Sequence, residues 1–113
     1  MNTQQWIQVG SQIVQNWIKI IIQGRADEDQ WVTGFKVSYT TDGKSWKFAE
    51  KGKVFEGSFD RSTKVEVDFS HPIQARTIRI HPVEWHGAIA MRFEAVFVEE
   101  KVNDNYNNFN ILR

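Results

Sequence analysis

The stretch "WVTGFKVSYTTDGKSW", residues 31–46, decides the fold. Trp31, Phe35, Val37 and Tyr39 alternate with Gly34, Lys36, Ser38 and Thr40. A period of two puts successive side chains on opposite faces, the mark of a half-buried strand. Asp42-Gly43 follows, and a tight hairpin turn needs the positive φ that such a pair tolerates. Trp46 and Phe48 then begin a return strand. The segment reads as a β-hairpin.

The same rhythm extends in both directions. In "KVEVDF", Val65, Val67 and Phe69 share a face, opposite Lys64, Glu66 and Asp68. "TIRIH" repeats the pattern with Ile78 and Ile80. "IAMRFEAVFV" is the longest case: Ile89, Met91, Phe93, Ala95 and Phe97 point one way, Arg92 and Glu94 the other. "WIQV" and "WIKIII" are short apolar runs that suit strands buried on both faces. Pro72 and Pro82 are expected at strand boundaries, because proline lacks the donor a ladder needs. No window pairs helical spacing with caps. Short strands with frequent turn signals predict an all-β jelly-roll β-sandwich or barrel.

Composition narrows the function classes. The chain has 113 residues, enough for one domain with a single core. Lys and Arg total 14 and Asp and Glu total 14, so no basic excess points to nucleic acid or an anionic membrane. There is no cysteine, which excludes disulfides and thiolate chemistry and favours an intracellular, reducing compartment. The opening "MNTQQWIQVG" lacks the basic start and apolar core of a signal peptide, and "WIKIII" is too short for a transmembrane segment. After Lys101 the alternation stops. "KVNDNYNNFNILR" holds five Asn among thirteen residues, so residues 101–113 read as an Asn-rich tail beyond a domain at 1–100. Phe109, Ile111 and Leu112 suit docking of its end.

Ahead of the hairpin, "GRADEDQW" gathers Arg25, Asp27, Glu28 and Asp29 beside Trp31. Arg25 offers a planar fork of donors for carboxylates, phosphates or sugar hydroxyls. Asp27 and Asp29 accept from hydroxyls, and Trp31 suits stacking on a sugar face. The plainer alternative pairs Arg25 with Asp27 or Asp29 and uses Trp31 to plug the end of the barrel. "HPVEWHG" brings His81, Glu84 and His86 together, but Pro82 forbids a helix that would align metal ligands. It reads as a structural turn, with Trp85 packed and His81 hydrogen-bonded. "FDRST" reads as a turn ordered by Asp60 and Arg61. No nucleophile elbow, oxyanion loop or phosphate-cradling glycine loop occurs, so neither an enzyme nor a cofactor is expected.

Taken together, "WIQV", "IIQGRADEDQWVTGFKVSYTTDGKSW", "KVFEGSFDRST" and "ARTIRIHPVEWHGAIAMRFE" resemble the discoidin domain (F5/8 type C) family in order and spacing. The likeness is nearest to its discoidin-lectin-like subgroup and covers about Trp6 to Val98. The resemblance implies an eight-stranded jelly-roll barrel that binds glycans, lipid head groups or proteins through loops at one end, without catalysis. It makes Arg25, Asp27, Asp29 and Trp31 the ligand-binding candidates. The match begins part-way into the family pattern, so the barrel is expected to lack its first strands and to carry an open edge. A partner chain, a second copy or the tail would cover that edge. Two functions follow as expectations: a module that recognises a glycan or protein ligand, or a structural subunit of a larger assembly with a vestigial ligand site.

Overall fold

A computed structural model describes residues 5–99 and 111–112. The elements are β1 (Ile7–Gln23), β2 (Trp31–Thr40), β3 (Lys47–Phe48), a 3-10 turn (Ala49–Gly52), β4 (Phe55–Glu56), β5 (Val65–His86), β6 (Arg92–Glu99) and β7 (Ile111–Leu112). All pairings are antiparallel. The fold is the expected all-β sandwich. Among the described residues no helix is long and apolar enough to cross a membrane.

Two long strands build both layers. The first half of β5 pairs with the second half of β1, which pairs in turn with β6. The second half of β5 pairs with Ile7–Gly10 of β1 on one side and with β2 on the other. The corner falls where the β1–β5 register breaks, between Gly10↔Thr77 and Gln15↔Ala75. There β1 spends residues 11–14 against Arg76 alone, and extra residues on one strand bend it. The layers meet through Phe35, Phe55 and Phe69, whose successive ring centres lie 5.7 and 6.0 Å apart. Trp17, Ile20, Ile22, Val32, Val37, Ile78 and Ile80 complete the core.

Three local expectations change. "WIQV" and "WIKIII" are one strand, and "KVEVDF" and "TIRIH" are another, running through both prolines. Each proline sits at an irregularity of the ladder, Pro82 opposite Phe35 of β2 where that register shifts. Pro72 lies between Asp68↔Lys19 and Ile73↔Trp17, where the ladder is interrupted, and Pro82 lies beyond the last β1 pair, Ile7↔Ile80. In β2 the alternation slips at Gly34/Phe35, so Val32 and Phe35 are both fully buried while Trp31 is only half-buried. The hairpin forms, with Gly43 at φ +80° and Asp42 Oδ1 accepting from the Lys44 and Ser45 amides. Its return strand is just Lys47–Phe48, however, with Trp46 ahead of it.

The inner face of β6 is incompletely covered. Phe93, Ala95 and Phe97 pack on the core yet remain half-exposed. β7 pairs with β6 only at Val98↔Leu112 and Glu99↔Ile111. Among the described residues, nothing pairs with the other edge of Arg92–Phe97. The Asn-rich run of the tail lies outside the described residues.

Candidate functional site

The charged loop leaves β1 at Gly24, which is buried. A Cβ there would lie 2.5 Å from the Asp60 carbonyl oxygen and 2.8 Å from Trp31 Cβ, so the close approach requires glycine. The loop closes on itself: the Arg25 amide donates to the Gln30 carbonyl at 3.0 Å, and the Gln30 amide to the Glu28 carbonyl at 2.8 Å. Beside it, Asp60 orders the neighbouring turn by accepting from the Thr63 hydroxyl and from the Ser62 and Thr63 amides. These bonds hold its carboxyl below the usual range, the Thr63 hydroxyl contributing most.

The four candidate residues divide into two pairs. Arg25 Nε donates to Asp27 Oδ1 at 2.7 Å. The bond lowers the Asp27 carboxyl and raises the Arg25 guanidinium relative to their ordinary values. Both form the wall of an open recess of about 640 Å³, together with Trp6, Ile7, Ile89 and Met91. Asp29 and Trp31 turn elsewhere. Asp29 accepts from Arg61 Nε at 2.7 Å, and Trp31 stacks on His86 with centroids 4.4 Å apart and planes 17° from parallel. The local pairing of Arg25 with Asp27 is the plainer of the two arrangements open from the sequence.

Three contributors escaped sequence reading. Arg92 Nε donates to the Gly24 carbonyl at 2.9 Å and its Nη2 to the Arg61 carbonyl at 3.3 Å, tying the two loops to β6. Arg61 fixes Asp29. Trp6, read only as part of a strand, stands exposed at the mouth of the recess. The pairing Gln23↔Arg92 brings Arg92 to the loop base, and no spacing in the chain announces that register. Trp6 is also one of two indoles on the Arg79 guanidinium, which lies 3.9 Å from its ring centre and 3.7 Å from that of Trp46. Arg79 Nε in addition donates to Gln8 Oε1 at 3.0 Å.

The arrangement suits binding. The Arg25–Asp27 pair is exposed, where solvent screens the attraction, so either partner can be redirected to a ligand at little cost. Among the described residues no three His, Cys, Asp or Glu side chains converge as metal ligands. His81 faces Ser38 Oγ at 2.7 Å from its Nε2, away from Glu84 and His86 as a ligand set.

The model of the F5/8 type C domain matches residues 1–95. The chain belongs to the F5/8 type C domain family. This F5/8 type C chain is 36% identical over 105 residues to Discoidin-2 of Dictyostelium discoideum, covering 93% of its own length and 41% of that protein. It is 37% identical over 98 residues to Retinoschisin of Mus musculus, covering 82% and 44% respectively. The structure of recombinant discoidin II of Dictyostelium discoideum superposes with a TM-score of 0.87 at 36% identity, over 93% of this chain and 42% of that one. A family 32 carbohydrate-binding module of C. perfringens NanJ in complex with galactose shares the fold, with a TM-score of 0.59 at 19% identity, over 80% and 66%. The chain thus spans less than half the length of these two curated relatives.

Proposed function

We propose that this F5/8 type C chain is a non-enzymatic recognition module that takes a glycan or protein ligand at the recess beside the charged loop. One observation carries the reading: a redirectable Arg25–Asp27 pair and an exposed Trp6 share one open recess. A sugar ring has the matching character, hydroxyls at its edge and an apolar face suited to an aromatic ring. Arg25 and Asp27 are the proposed contacts. Asp29 and Trp31 serve the same site by bracing the loop, through Arg61 and His86. The galactose complex of the family 32 module supports a saccharide as the first ligand to try.

Galactose titrated into the isotope-labelled chain tests this. Amide shifts confined to residues 24–31 and a shift of the Trp6 indole are expected. Arg25→Ala should weaken binding by roughly tenfold or more, the loss of a hydrogen bond to a charged group, with an unchanged urea midpoint. Saturable binding of a panel of monosaccharides that leaves the loop amides unmoved, or no binding by that panel and by a peptide library, would sink the reading.

A further inference from the structure

The Arg79 guanidinium is held between two indoles. It lies 3.9 Å from the ring centre of Trp6 and 3.7 Å from that of Trp46, and its Nε donates to Gln8 Oε1 at 3.0 Å. The strand register explains the meeting. Gln8 pairs with Arg79 across the β1–β5 ladder, and Trp6, two residues before Gln8, shares its face. On its other side Arg79 pairs with Ser38 of β2, which in turn pairs with Phe48 of β3, and Trp46 lies just ahead of that short strand. Side chains from three parts of the chain thus meet on one cation. A planar guanidinium suits the place, because it stacks on aromatic faces and stays charged.

Of the two indoles, Trp6 walls the recess and Trp46 does not. Trp6 also precedes the first β1–β5 pair, Ile7↔Ile80, so the stack rather than the ladder sets its ring. With the recess read as a saccharide site, on which this rests, we propose that Arg79 is its positioning and specificity-determining residue. Arg79 holds Trp6 by one face, presents the other face to the ligand, and turns away ligands that bring a positive group to that ring. Both effects come from the cation behind the indole. An indole alone attracts a cation through the negative charge of its face. With Arg79 on one side, a second cation on the other meets Coulomb repulsion. An uncharged sugar sets C–H groups on the ring and meets none. The Arg79 charge is felt at its neighbours: after burial, it is the next cause of the lowered pKa of His81.

A purely architectural stack would join the hairpin to β1 and do nothing at the recess. The two roles separate at Trp46, which supports Arg79 without walling the recess. If Arg79 positions Trp6, loss of the Trp46 ring must be felt by the ligand. If the stack is architecture alone, that loss changes stability and leaves affinity as it was. Arg79→Lys divides the matter further, since it keeps the charge and loses both the plane and the Nε donor to Gln8.

Galactose and galactosamine, titrated into the isotope-labelled chain at about pH 6, where such an amine is protonated, test this. The wild-type chain is expected to bind galactosamine roughly threefold or more weakly than galactose. Arg79→Met should weaken galactose binding by roughly threefold or more and bring the two sugars together. Arg79→Lys should weaken galactose binding yet keep the discrimination. Trp46→Leu should weaken galactose binding and shift the Trp6 indole resonance of the free chain. Were Arg79→Met to fold poorly, the wild-type ratio and Trp46→Leu still decide. A wild-type chain that binds both sugars alike overturns the proposal and leaves the recess reading standing. So does galactose binding that is lost in Arg25→Ala but indifferent to Trp46→Leu. No saccharide binding at all, or binding indifferent to Arg25→Ala, overturns both.

Discussion

At the scale of single residues, His81 shows how position rewrites chemistry. The ring is partly buried on the outer side of β5, hydrogen-bonded to Ser38 and 5.3 Å from the Phe48 ring centre. Burial, and then the charges of Arg79 and Lys36, push its pKa below the ordinary 6.5. The unfolded chain therefore takes up a proton that the native chain refuses. Stability contributed here is present above about pH 6.5 and falls as the pH drops, until the native ring itself protonates. Urea unfolding at steps between pH 7 and 5 should show that decline, and His81→Gln should flatten it. A steeper decline in the variant would mean that His81 is not its source. The bland reading of "HPVEWHG" as structure rather than chemistry thus has a physical basis in the hydroxyl and aromatic neighbours of this ring.

At the scale of elements, the corner shared by β1 and β5 depends on Trp17. Its Nε1 donates to the Ala75 carbonyl at 2.8 Å, and its ring meets Phe97 edge-on at 4.9 Å. Trp17→Phe removes that buried bond and leaves a void beside it, at a cost of about 1–3 kcal/mol. The same change at half-buried Trp31 should cost less. Denaturant midpoints of the two variants check the order. The strands themselves were legible: Val65, Val67 and Phe69, or Ile78 and Ile80, declare their face by alternation alone. What was not legible was continuity. Nothing local says that Pro72 falls in a gap of the ladder or that Pro82 outlasts its neighbour, because both depend on where β1 happens to pair. The candidate site was readable to the same degree. The charged loop stands out in the sequence, and its Arg25–Asp27 pair lies two residues apart. The partners Arg61, Arg92 and Trp6 come from other elements, and only the register delivers them.

At the scale of the whole molecule, the two layers are not separable units. β1 and β5 each run through both, and Phe35, Phe55 and Phe69 pack across the gap between them. Unfolding should accordingly be a single cooperative event. Tryptophan fluorescence reports both layers, from Trp17 in one and Trp46 in the other, while far-ultraviolet circular dichroism reports the backbone. Their urea transitions are expected to coincide, and a separated pair of midpoints would show that the corner is a hinge between independent halves. The continuous strands also bear on how the chain reaches this state. The Trp17–Ala75 contact at the bend joins residues 58 apart, so the central pairing cannot begin from any local turn. Search over such long chain separations is slow. While it lasts, the isoleucine-rich half of β1 waits without its neighbour, which makes the newly synthesised chain a natural client for chaperones before it is anything else.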